Sequence, residues 1–208
     1  IENISCDGDI EDEIKRAESI ERTLGTGKYV DDIKLDDMAY GAAIRSKYPR
    51  AMVQNIDFDD ALNIKDIIGI ITAEDIPGER FIGEDVKDAP ILVDIGEETR
   101  FIGDTIALVV AKTKKALRQA VAMIKVDYEV LDKITSVSEA LKEDAVFIQE
   151  NGNIAFKESV TRGENADQVI KNSRYSVTKT YKVPPTEYGV LEPDTVIALP
   201  ENKGVKLY

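Results

Sequence analysis

RFIGDTIALVVAKTKKALRQAVAMIKVDYEVL, residues 100–131, says more about the fold than any other stretch. Residues 105–111 are apolar on both faces, the pattern of a strand covered on two sides. Thr113 stands where a helix cap is expected. Ala116, Leu117, Ala120, Val121 and Ile124 share one helical stripe, with Lys114, Lys115, Arg118 and Gln119 facing water. Residues 125–130 alternate as a second strand. A strand, a helix and a strand in about 30 residues match a crossover unit in length.

Upstream, residues 38–45 (MAYGAAIR) read as a strand broken at Tyr48-Pro49. Residues 51–58 read as another, with Met52, Ile56 and Phe58 on one face by period two. A short helix is predicted over 57–61, capped by Asp57 or Asp59. Residues 67–72 (IIGIIT) form a nearly continuous apolar strand, and 73–78 (AEDIPG) turn out of it. Residues 78–98 are rich in charge, Gly and Pro and have no period. Loops of that length in compact domains usually work in function or pack against a partner. Gly25 and Gly27 mark a turn, and residues 1–21 form an acidic lead-in or linker in which Ile10, Ile14 and Ala17 recur at helical spacing.

Downstream, 132–135 connect and 138–141 form a short helix. From Asn151 the composition shifts. A helix is predicted over 165–172, with Ala166, Val169 and Ile170 on one stripe, and strands over 174–182, 192–199 and 205–208. Residues 151–208 are too few to bury a core alone, and the last strand ends without a turn or cap. The expectation is a piece of a longer polypeptide.

With 208 residues the chain has room for one or two domains, and 43% hydrophobic content is ordinary for a globular one. The net charge of -13 argues against nucleic acid, whose phosphates require a Lys/Arg surplus, and against anionic membrane surfaces. No apolar run approaches a membrane span and no secretory leader is visible; a cytoplasmic setting is expected from the single cysteine. The chain has no His, which removes Ser-His-Asp and Cys-His catalysis and His-ligated metals. Its one Cys, Cys6, excludes an internal disulfide or a four-Cys iron–sulfur site and reads as an incidental surface thiol.

Gly25-Thr26-Gly27-Lys28 is not a phosphate loop, because Arg22 and Tyr29 occupy the places that need Gly and Ser/Thr. Asp7, Asp9 and Glu11 lack the Gly and the final Glu of a calcium loop. The acidic pairs Asp31/Asp32, Asp36/Asp37, Asp59/Asp60 and Glu97/Glu98 read as solvated or capping rather than as acid–base pairs. Glu192, before Pro193, reads as an anchor for backbone or a neighbouring Arg, with a supporting place near an active site as the other reading.

Taken in order, these segments resemble one family. GTGKYVDD (25–32), SKYPRAMVQNIDFDDAL (46–62), IIGIITAEDIPG (67–78), RFIGDTIALVVA (100–111) and VDYEVL (126–131) are similar to the first domain of the molybdopterin-binding subunit of molybdenum hydroxylases, such as xanthine dehydrogenase and aldehyde oxidoreductase. GNI (152–154) and EYGVLEPDTVIAL (187–199) resemble the opening of the molybdenum-binding domain. The fold implied is α/β (α+β): an α/β hammerhead over 22–133, a connector over 134–150, and the incomplete start of a molybdopterin-binding domain over 151–208. The family often has His where Arg50, Phe156 and Tyr188 stand, which favours a divergent bacterial branch.

The resemblance implies a parent enzyme that hydroxylates a carbon of a nitrogen heterocycle, a purine before an aldehyde, with water as oxygen source. It implies molybdenum-molybdopterin in the parent, 2Fe-2S clusters and in many members FAD in other domains or subunits, and the rest of the large subunit as partner. The family's Ser-Thr-Gln segment, Gly-rich cofactor loop and catalytic Glu have no match here, so no catalytic, cofactor-binding or metal residue is expected, and the fragment alone is expected to be inactive. Phe81 and Ile82 stand near the place from which relatives send apolar side chains into the substrate channel. A loop anchor in the hammerhead core is the other reading of both. The rival for the whole chain is an acidic protein-interaction module sharing only the hammerhead fold. An independent hydrolase is disfavoured by the missing His.

Overall fold

A computed structural model describes residues 19–83, 87–149, 152–190 and 194–208. The lead-in helix around Ile10 to Ala17, Cys6, the Asp7–Asp9–Glu11 run and Leu191-Glu192-Pro193 lie outside the described residues. The chain divides into two units, residues 37–177 and a second whose described part is 19–36 with 178–190 and 194–208.

In the second unit, helix α1 (Ser19–Leu24) stops at the expected glycine turn. Gly25 has φ 69°, and the N–H groups of Thr26 and Gly27 both donate to the Glu21 carbonyl at 2.9 and 3.1 Å. A left-handed residue just past a helix is what satisfies its last carbonyls. Asp32 acts as a cap, accepting from the Tyr29 N–H at 3.0 Å.

The first unit holds strands β1 (Tyr40–Arg45), β2 (Ala51–Asp57), β3 (Ile67–Ile71), β4 (Phe81–Ile82), β5 (Ala89–Pro90), β6 (Glu98–Thr99), β7 (Thr105–Ala111) and β8 (Lys125–Val130). Two three-stranded sheets form, in the orders β1-β7-β3 and β6-β2-β8, and β4 pairs with β5. Every ladder among the described residues is antiparallel. The helices are α2 (Asp59–Leu62), α3 (Lys114–Met123), α4 (Val137–Ala140) and α5 (Ala166–Asn172).

The strand–helix–strand stretch is real, but it is not a crossover within one sheet. β7 is the central strand of one sheet and β8 an outer strand of the other. α3 therefore carries the chain between sheets, and no parallel pairing results. As expected, β7 is covered on both faces. Ala107, Val109 and Ala111 point into a core with Ile44, Ala61, Ala116, Leu117 and Ala120. Ile106 points the other way, into a core with Val53, Ile56 and Val93. Small side chains on both β7 and α3 let the helix lie close on the sheet, since interaxial spacing follows the side chains at the contact. Thr113 caps α3, its Oγ1 accepting from the Ala116 N–H at 3.2 Å.

β2 departs from the predicted alternation. Val53 pairs with Tyr128 but Asn55 with Asp127, so Gln54 is an extra residue in the strand. Such a bulge shifts the side-chain parity. Ala51, Val53 and Ile56 are buried in consequence, rather than a Met52, Ile56 and Phe58 face. Neither Asp57 nor Asp59 caps α2: Phe58 holds that position without a side-chain bond, and Asp59 and Asp60 sit in the first turn. There they favour the positive end of the helix dipole.

Ser136 caps α4, accepting from the Glu139 N–H at 3.2 Å. Asn165 caps α5, accepting from the Gln168 N–H at 3.1 Å. Residues 174–182 form no strand and are exposed, although their polar and apolar residues alternate. A strand needs a neighbour for its backbone groups, and the described residues supply none there. In the second unit the strand predicted over 205–208 is present as β10 (Gly204–Leu207), in a hairpin with β9 (Ala198–Glu201), which among the described residues begins later than the strand predicted over 192–199.

Candidate functional site

Among the described residues of 78–98, the excursion between β3 and β7, short paired strands replace the expected long loop. Phe81 pairs with Pro90 and Ile82 with Ala89. Phe81 is half-buried, and Ile82 is 55% exposed. The structure therefore sets the two expected channel residues side by side on β4 in different surroundings. Alternation along a strand accounts for that, because successive side chains point to opposite faces.

The base of the excursion is held by Arg80. Its two terminal nitrogens donate to Glu97 Oε1 at 3.1 Å and Oε2 at 2.8 Å. Asp94 lies 3.7 Å away, and the Leu92 carbonyl accepts at 3.3 Å. The guanidinium sits over the Phe81 ring, 5.6 Å from its centroid. Its pKa is raised above the ordinary arginine value, chiefly by the hydrogen bond to Glu97, against the opposing effect of burial.

Two further arginines pin the neighbouring chain. Arg50 donates through Nε to Glu98 Oε2 at 2.8 Å and through a terminal nitrogen to the Asp132 carbonyl at 3.1 Å. Arg100 donates to the Asp88 carbonyl. Glu97 and Glu98 are partly exposed, as expected, and each is also bound to a different arginine. Sequence reasoning missed Arg80 and Arg100 because opposite charges separated by a loop have no period. The one available signal was charge at both ends of the excursion.

Of the positions where the family often has His, Arg50 is structural, while Phe156 and Tyr188 are 71% and 91% exposed. Among the described residues there is no group of three or more His, Cys, Asp or Glu side chains placed to hold a metal. Near β4, Glu97 pairs with Arg80 and Glu79 with Lys87, the latter at 2.7 Å. What the arrangement offers is an apolar edge with Ile82 outward.

Comparison with known proteins gives this geometry its context. The family described as "Aldehyde oxidase and xanthine dehydrogenase, a/b hammerhead domain" matches residues 24–132, more than half of the chain. The chain is 30% identical to the nicotinate dehydrogenase large molybdopterin subunit of Eubacterium barkeri over 190 residues, covering 91% of this chain and 44% of that one. It is 28% identical to part of a probable xanthine dehydrogenase of Bacillus subtilis (strain 168), covering 88% of this chain and 24% of that one. The aldehyde oxidoreductase structure from Desulfovibrio gigas superposes with a TM-score of 0.68 at 28% identity, over 77% of this chain and 19% of that one. The chain spans less than half the length of these relatives. Through its two antiparallel sheets bridged by α3, and through the match over residues 24–132, the chain belongs to the aldehyde oxidase and xanthine dehydrogenase hammerhead family.

Proposed function

We propose that this chain is the N-terminal part of the molybdopterin-binding subunit of a molybdenum hydroxylase. In this reading 1–21 lead in, 22–133 are the hammerhead, 134–150 connect, and 151–208 begin the molybdopterin-binding domain. One observation carries it: similarity to the nicotinate dehydrogenase subunit runs over 91% of the chain, well beyond the hammerhead match.

The parent reaction is hydroxylation of a ring carbon next to nitrogen. The carbon exchanges its hydrogen for a hydroxyl whose oxygen comes from water, and an electron pair and two protons leave. The molybdenum cofactor, when bound by the rest of the subunit, supplies the oxidising centre. Iron–sulfur clusters and a flavin in partner domains or subunits carry the electrons away. The fragment itself is non-catalytic.

Its own share is shape. Ile82, with Phe81 behind it, forms part of an apolar wall against which a flat heteroaromatic ring loses water. The substrate is a purine of the xanthine type. A pyridine carboxylate is the second reading, favoured by the likeness to nicotinate dehydrogenase. A cytoplasmic setting belongs to the same reading. No helix among the described residues is long and apolar enough to cross a membrane.

The test is to produce the complete enzyme with its partner subunits and supply a purine, nicotinate or an aldehyde in ¹⁸O-water with an artificial electron acceptor. Label in a hydroxylated heterocycle, lost when tungsten replaces molybdenum, is the expected result. A molybdenum-loaded enzyme that labels no heterocycle would overturn the reading.

A further inference from the structure

We propose that Arg80 is a positioning residue: its two-pronged clasp on Glu97 fixes β4, and with it Ile82, and so sets the ring size the enzyme accepts. The size claim rests on the proposed function above, whereas the clasp stands on the geometry alone.

Glu97 is tied to the core by its own backbone. Its carbonyl accepts from the Val53 N–H at 3.0 Å, and the Gly96 N–H next to it donates to the Val53 carbonyl at 2.8 Å. Val53 is fully buried in β2. The carboxylate of Glu97 also accepts from the Asp94 N–H at 2.9 Å, which closes the turn beneath it. Arg80 therefore grips, across 17 residues, a group that cannot move without moving the core.

From Arg80 the constraint passes directly to β4. The Arg80 carbonyl accepts from the Ile91 N–H at 2.7 Å, extending the β4–β5 ladder by one register. The guanidinium lies over the ring of the next residue, Phe81. Only a planar fork can hold both carboxylate oxygens and face a ring at once; a lysine ammonium is a single point of charge. The arrangement is kept although Arg80 Nε is buried without a partner. An orphaned donor is unfavourable, so the guanidinium is held for its shape rather than for complete hydrogen bonding.

The experiment uses Arg80→Lys, which keeps the charge and loses the fork, with Glu97→Gln as second variant. In the complete enzyme, amide exchange of Ile91 is expected to quicken about tenfold, as loss of a charge-assisted pair allows local opening. Exchange of the Val93 N–H, which donates to the Thr105 carbonyl at 2.8 Å, should stay within a factor of about two. Unchanged exchange at Ile91, or equal acceleration at both amides, would overturn the clasp.

In the complete enzyme, kcat for the best substrate should hold within about twofold while KM rises. The kcat/KM ratio of a two-ring to a one-ring heterocycle should shift about tenfold. Ile82→Ala should shift the same ratio, and the double variant should add little. A fall in kcat alone, or additive shifts, would overturn the positioning role. If the wild-type enzyme turns over no heterocycle, the functional reading and the size claim fall together, and the exchange data still decide the clasp.

Discussion

At the scale of single residues, two buried positions carry opposite lessons. Ile106 has no exposed surface and faces the core opposite to the one α3 covers. Ile106→Ala should lower stability by about 3 kcal/mol, the transfer loss plus an unfilled cavity. Urea unfolding checks this as a lower midpoint at unchanged slope. Asp104 is buried but polar, and accepts from the Arg100 N–H at 3.0 Å. Burial raises its pKa above the ordinary aspartate value, more than the Arg100 N–H, the Arg100 charge and the Thr105 N–H lower it. A raised folded-state pKa means the folded form holds the proton more tightly. The contribution to stability is thus fully present below the unfolded pKa and lost as pH rises through the folded one. Asp104→Asn keeps an acceptor for the Arg100 N–H and removes the charge. Its melting temperature, relative to wild type, should rise between acidic and neutral pH. A difference independent of pH would refute that account.

At the scale of elements, the cap of α3 was legible, whereas the cap of α2 and the strand parity were not. Thr113 caps α3 because a short oxygen-bearing side chain precedes the apolar stripe, and both features are local. Thr113→Ala should cost about 1 kcal/mol, seen by thermal or denaturant unfolding. The bulge at Gln54 has no comparable signal, since it exists only in relation to β8. Deleting Gln54 should make β2 regular while leaving Val53 and Ile56 two residues apart on the core side, opposite Tyr128 and Val126, so stability should change by no more than about 1 kcal/mol. A deletion variant that unfolds far below the wild-type midpoint would show that the bulge itself is needed to shape β2. Glu97 and Glu98 follow the same logic. As neighbours in sequence they looked like one acidic patch, yet extended backbone sends them to opposite sides and to different arginines.

At the scale of the molecule, burial is unevenly distributed. The buried apolar residues lie between Ile44 and Ala120, whereas Val160, Tyr175, Val177, Tyr181 and Val183 are each more than three-quarters exposed. Trypsin should therefore cut at Lys157, Arg162, Arg174, Lys179 or Lys182 well before sites between β1 and β8, because exposed backbone outside regular structure is the preferred substrate. Mass spectrometry of an early digest checks this, and first cleavage at Arg118 or Lys125 would contradict it. The apolar period of β7 and α3, the turn at Gly25, the cap at Thr113, and the order of motifs that marks the hammerhead family could all be read before folding was considered. Each is a property of adjacent residues or of their order along the chain. Folding in three dimensions was needed to put β7 and β8 into different antiparallel sheets, to bulge β2, and to bring Arg80 and Arg50 onto Glu97 and Glu98. Those features join residues 17 to 75 positions apart, where the choice of partner depends on how the whole chain closes on itself.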